Sequence, residues 1–237
     1  MLFAASLSRF GPGARKGVRM LPQPRSLFVF ALLYGGMVCI AGVLGAKQVA
    51  LGPLAVEAGI FAFLTVVMLG SAVAELHGRR IADGLVRVGF LPLILSMLLI
   101  RLVLVLPTDP AMYPPLAQAF PVMMGQSGRM MLAGLIAYGT SQTLNVLIFS
   151  RLASGQGRLL WLRAMVASAA SQVIDTLIFI TVSFGGERPI MGLMAGQMLA
   201  KVALSVVLVP WGVAGLVRLG RWLDRPAPAT WQPAQNR

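Results

Sequence analysis

The chain reads as an all-α membrane protein, a bundle of six transmembrane helices. Three observations lead there. Of its 237 residues, 57% are hydrophobic and only 11% charged, with a mean hydropathy of +0.82; a soluble domain carries about 25% charged residues. Apolar runs of about 20 residues, the length that crosses a bilayer as a helix, recur six times. The basic residues gather at the ends of those runs, as they do in membrane proteins.

The spans fall at residues 27–44, 54–74, 85–106, 130–152, 162–184 and 190–217. Residues 1–26 ahead of them read as a basic cytoplasmic arm. Its apolar stretch, from Leu2 to Leu7, is too short for the core of a signal peptide, and Met20 offers an alternative start. The longest connection, residues 107–128, holds five prolines and reads as an exposed loop or a re-entrant cap rather than a helix. The other connections are short, so residues 27–217 form one transmembrane domain without a soluble insert. Residues 218–237 are expected to form a cytoplasmic tail, disordered in its Pro/Ala/Gln stretch after Asp224.

Counting Lys and Arg orients the bundle. Fifteen of the twenty cations fall on one side: Arg9, Arg15, Lys16, Arg19, Arg25, Arg79, Arg80, Arg87, Arg151, Arg158, Arg163, Arg218, Arg221, Arg225 and Arg237. Lys47, Arg101, Arg129 and Arg188 fall on the other, and Lys201 lies inside a span. Both termini are therefore expected in the cytoplasm. The net charge of +13 is a matter of topology and lipid head groups, with no nucleic-acid partner.

Catalytic signatures are missing: no His-Glu-x-x-His, no Gly-x-Ser-x-Gly, no Walker loop. His77 is the sole histidine, so imidazoles build no metal site, and the sole cysteine, Cys39, reads as a small hydrophobe. The chain is expected to be no enzyme and to need no cofactor. Active transport would draw on a gradient or on a separate energising partner.

Polar groups inside the spans carry what remains. Asp175 stands mid-way along the fifth, where a carboxylate costs roughly 2.5–3.5 kcal/mol on insertion scales and faces a bundle interior or a wet cavity. In the fourth span Tyr138, Ser141, Gln142, Asn145 and Phe149 share one helical face; in the fifth Ser168, Ser171, Gln172, Asp175, Thr176 and Phe179 do the same. The sixth presents Gln197 and, one turn on, Lys201. Such faces also serve as interhelical glue, at about 0.6 kcal/mol per bond. Asp175 with Lys201 is either a buried ion pair or an acceptor left open for a solute; both readings stand. Glu75, like Glu57, reads as a solvated charge at a helix end, and Gln126 and Arg129 as ordinary helix-end residues.

Residues 132–152 (LAGLIAYGTSQTLNVLIFSRL), 159–186 (LLWLRAMVASAASQVIDTLIFITVSFGG) and 196–210 (GQMLAKVALSVVLVP), with Glu75, Gly78 and Ala82, resemble the queuosine-precursor transporters among the vitamin-uptake-like membrane proteins. The resemblance runs from about residue 27 to 217. It implies import of 7-cyano- or 7-aminomethyl-7-deazaguanine, or queuine, across the cell inner membrane for tRNA modification salvage. It also implies a six-helix fold similar to the substrate-binding component of energy-coupling-factor vitamin transporters, without a dedicated ATPase. Asp175, Gln172, Gln197 and Lys201 match the family pattern. Gly70 and Ser71 stand where the family often has Thr-Asp, Asn145 where it has Asp, and Ala46 where it has Asn, so two carboxylates are replaced.

A guanine-like edge puts two N–H donors side by side, which one carboxylate accepts together. Its carbonyl takes a donor from Gln, Asn or Lys, and its flat faces take aromatic walls. The expected substrate-binding set is Asp175, Gln172, Gln142, Asn145, Ser171, Gln197, Lys201, Glu75, Tyr138, Phe149 and Phe179. A binding subunit of a multi-component vitamin transporter and a structural membrane scaffold are the competing readings. Either monomer or homo-oligomer fits the sequence.

Overall fold

Helix α1 (Arg25–Leu44) leads through a short hairpin, β1 (Gln48–Leu51) and β2 (Leu54–Glu57), into α2 (Gly59–His77). Then come α3 (Arg79–Val105), the short α4 (Pro114–Met124), α5 (Gly128–Arg151) with a 3-10 turn at Leu152–Ser154, α6 (Leu160–Phe184) and α7 (Met191–Leu223). This computed structural model describes residues 24–52, 54–126, 128–154, 159–186 and 190–225. The basic arm up to residue 23 and the tail from residue 226 lie outside the described residues. Six helices, α1, α2, α3, α5, α6 and α7, are long and apolar enough to cross a membrane. The all-α membrane bundle expected from composition is the architecture found.

Helix α2 is the central element. Val66, Val67, Leu69, Ala72 and Val73 are buried on all sides of it, against α1, α3, α5 and α7. Helix α6 packs between α5 and α7. Helix α3 buries only a narrow stripe, Ala82, Val86, Gly89 and Leu93, and exposes Val88, Leu91, Leu95, Leu98 and Leu102. An apolar face of that extent suits lipid, where no backbone group is left unbonded in a helix. Gly89 lets α3 approach the buried ring of Tyr138, since a Cβ there would collide with its hydroxyl.

Several boundaries differ from expectation. Residues 54–57 read as the start of the second span but form β2, paired antiparallel with β1 from Gln48↔Glu57 to Leu51↔Leu54. Gly52, in the turn at φ +60°, takes a left-handed conformation that glycine adopts without strain. A short apolar run is equally compatible with strand and helix, so periodicity could not separate them. The connection at 107–128 contains α4 rather than only loop, because Pro114 and Pro115 occupy its first turn, where a missing N–H costs nothing. Finally α3 begins at Arg79 and α7 continues to Leu223, past the charged residues at which a hydropathy reading stops. One residue, Gly78 at φ +85°, makes the whole connection between α2 and α3.

Candidate functional site

Helices α5, α6 and α7 each bring one polar side chain to the same level. Lys201 Nζ lies 3.3 Å from Asp175 Oδ2, and Ser141 Oγ donates to Asp175 Oδ1 at 3.3 Å. Asp175 and Lys201 are each only 7% exposed. Breaking such a pair by removing one partner is costly, because the other charge stays buried and uncompensated. The Lys201 ammonium also stands 6.0 Å above the Phe179 ring, within cation–π range.

This pair lines a cavity of about 150 Å³ in the half of the bundle that carries the hairpin. Tyr138, Phe179, Phe63, Met97 and Met130 form apolar and aromatic walls, and Glu57 and Gln126 stand at the rim. Glu57, Gln126, Met130 and Gly45 are shared with a wider chamber of about 560 Å³, which Gln48, Phe184 and Gln197 also line. Asp175 and Lys201 therefore lie at the end away from that chamber. Tyr138 offers its ring rather than its hydroxyl, which donates to the Val86 carbonyl at 2.9 Å and lies 3.2 Å from Tyr34 Oη. Gln126 is fixed at the rim by donating from Nε2 to the Gly42 carbonyl at 3.2 Å.

Of the residues expected to bind substrate, Asp175, Lys201, Tyr138 and Phe179 meet in the cavity. Gln197 lines the wider chamber and donates from Nε2 to Glu57 Oε1 at 3.4 Å. Gln142 and Gln172 are fully buried beyond the cavity wall, with both amide atoms of each lacking a hydrogen-bond partner. Asn145 bonds across to α2, donating from Nδ2 to Ser71 Oγ at 3.1 Å, and Ser171 donates to the Ser168 carbonyl. Glu75 and Phe149 are at the opposite end. Arg163 lies 3.0 Å from Glu75 Oε2 and stacks over the Phe149 ring at 4.3 Å. Those two residues make an ion-pair and cation–π support for the end of α6, not a wall of the cavity. Glu57 and Gln126 were missed as site residues; the one available signal was an isolated acid at the cation-poor end of the bundle.

The same opposite end holds a clasp of three helix termini. Buried Ser26, at the start of α1, donates its hydroxyl to Asp224 Oδ2 at 2.6 Å and its N–H to Oδ1 at 2.9 Å. His77 Nε2 lies 2.8 Å from the same Ser26 Oγ. Since the only hydroxyl proton goes to Asp224, His77 must donate from Nε2. The carboxylate bonds the serine rather than the histidine, so this is not a nucleophile activated through a histidine. Burial pushes the Asp224 carboxyl up, but the two Ser26 bonds and the neighbouring His77 outweigh it and hold the carboxyl below the usual range.

Comparison with known proteins adds one finding. A family profile described as "Putative vitamin uptake transporter" matches residues 57–215. No curated protein and no solved structure matches. The matched stretch begins at Glu57 on the cavity rim, takes in the whole Asp175–Lys201 pair and most of α7, and covers well over half of the sequence. The chain belongs to the vitamin uptake transporter family, as a multi-pass membrane protein.

Proposed function

We propose that the protein imports 7-deazaguanine bases, the 7-cyano or 7-aminomethyl precursors of queuosine or queuine itself, across the inner membrane for salvage into tRNA. The observation that carries this reading is the Asp175–Lys201 pair in an aromatic-walled cavity, away from the wider chamber. A carboxylate beside an ammonium offers two acceptor oxygens and a donor in a row. The guanine edge offers the complement: two N–H donors and a carbonyl. Each Asp175 oxygen retains a lone pair after its one bond in the structure, and Lys201 retains two of its three donors. Pairing and substrate recognition are therefore compatible, and the pair pre-orients both groups.

Size and walls support the same ligand. A cavity of about 150 Å³ is smaller than the ~300–1,000 Å³ usual for drug-sized ligands. It suits one flat fused ring, with the adjoining wider chamber open to a ring substituent, and Phe63, Phe179 and Tyr138 supply flat faces. With fifteen cations against four, the hairpin end faces outward, so the cavity would be loaded from outside while both termini stay in the cytoplasm. The test is a host unable to make queuosine. Expressing the protein and feeding labelled precursor base should yield labelled tRNA; unlabelled tRNA with the protein correctly inserted would exclude this substrate class.

A further inference from the structure

Among the described residues, the charged groups lining the cavity and its wider chamber are Asp175, Lys201 and Glu57. The first two neutralise each other at 3.3 Å. Glu57 has only an uncharged partner, the Gln197 amide at 3.4 Å, and no lysine or arginine among the described residues is within ion-pair distance of it. It is half-buried rather than free in solvent. The side chains that line the cavity thus carry one negative charge in excess, placed where its two chambers meet. A charge in such a cleft acts through less water than on an open surface, and its field is focused into the cleft.

The position of that charge is fixed by α7. Gln197 and Lys201 are four residues apart on one helical face, so they stand about one turn, ~5.4–6 Å, apart along the helix axis. Gln197 touches Glu57 and Lys201 touches Asp175. The two carboxylates therefore contact α7 at positions one turn apart, and both line the same cavity. Glu57 lines both chambers while Asp175 and Lys201 line the first alone, so a fused bicyclic base whose polar edge met the pair would turn its other ring toward the junction where Glu57 stands. The walls include Phe63 and Phe179, aromatic faces that tolerate a cation where an aliphatic wall would not.

We infer that Glu57 makes this site select a base bearing a positive charge on its ring substituent, so that the aminomethyl base and queuine are taken in preference to the neutral nitrile. The inference rests on the cavity being the base's site. Glu57 acts by direct contact with the substituent ammonium, while Asp175 and Lys201 read the edge that all these bases share. Discrimination thus falls on affinity for one group and leaves recognition of the ring untouched.

The experiment uses the purified full-length chain in detergent and measures Kd for 7-aminomethyl- and 7-cyano-7-deazaguanine in choline and in sodium buffer. Wild type should bind the aminomethyl base at least about tenfold tighter, in either buffer. Glu57→Gln should bring the ratio close to one by weakening the aminomethyl base alone, and Glu57→Asp should restore a preference. A ratio unchanged in Glu57→Gln, or tighter nitrile binding by wild type, overturns the inference. So does nitrile binding strengthened by sodium through Glu57, which would make the carboxylate an inorganic-cation site. A second pair without the guanine edge, 2-(aminomethyl)benzimidazole and benzimidazole-2-carbonitrile, separates this from the proposed function. If neither deazaguanine binds, that function fails; a Glu57-dependent preference for the benzimidazole ammonium then upholds the charge selection, and no preference, or no binding, overturns it.

Discussion

Lys201 reaches from α7 to within 3.3 Å of Asp175 on α6, and this contact places both a structural bond and the chemistry of the cavity in one pair of residues. Asp175→Asn leaves the Lys201 ammonium buried without its counter-ion, a loss of about 3–5 kcal/mol for a buried pair. The melting temperature in detergent should fall, and affinity for precursor base should fall about tenfold or more, since a donor then faces a donor. Asp175→Asn combined with Lys201→Met should recover melting temperature without recovering binding. Recovery of both would make the pair purely structural.

Gln142 and Gln172 give the opposite sign. Each is fully buried with its amide nitrogen and oxygen unbonded, a state that costs roughly 1–3 kcal/mol per unsatisfied group. Gln142→Leu and Gln172→Leu should hold or raise the melting temperature. Uptake should nevertheless drop if these amides meet the substrate in another conformation of the transport cycle. Asn145→Leu, which removes the bond to Ser71, should cost about 0.6 kcal/mol and spare uptake. Normal uptake in both glutamine variants would make those amides mere packing.

The clasp of Ser26, His77 and Asp224 predicts a pH dependence with a definite sign. The folded-state Asp224 carboxyl is held below its unfolded value, so its contribution is complete above the ordinary aspartate pKa of about 3.9. It is lost as pH falls through the lowered folded value. In a His77→Gln background, which keeps a donor and removes the second titrating group, Asp224→Asn should lower the melting temperature at neutral pH. The difference should close at acid pH. A difference that widened on acidification would contradict the assigned contacts.

Topology is tested by reporters. Fusions after Arg225 and at Ser154 should report cytoplasm and fusions at Tyr113 the outside, as the cation asymmetry requires. An external carboxyl terminus would contradict the six-span arrangement with both termini in the cytoplasm.

The parts of the site that could be read from the sequence were those with few places to go. A carboxylate or ammonium in an apolar span must turn inward, which singled out Asp175 and Lys201, and helical spacing added Tyr138 and Phe179. Spacing says which face a residue occupies but not its depth. Phe149 shares a face with Tyr138, yet eleven residues on a helix are about 16 Å, too far for one small site. Glu57 was legible as a charge but not as a cavity wall, because only the unforeseen hairpin carries it to the rim beside Gln197. The pairing of Glu75 with Arg163 was hidden for a similar reason: the partners lie on α2 and α6, and no local pattern links them.

Transport by the purified protein alone tests the central claim most directly. Proteoliposomes containing only this chain should accumulate labelled 7-aminomethyl-7-deazaguanine above empty liposomes, and Asp175→Asn proteoliposomes should not. Accumulation indistinguishable from empty liposomes, with the chain shown to be inserted and folded, would contradict a self-sufficient deazaguanine carrier.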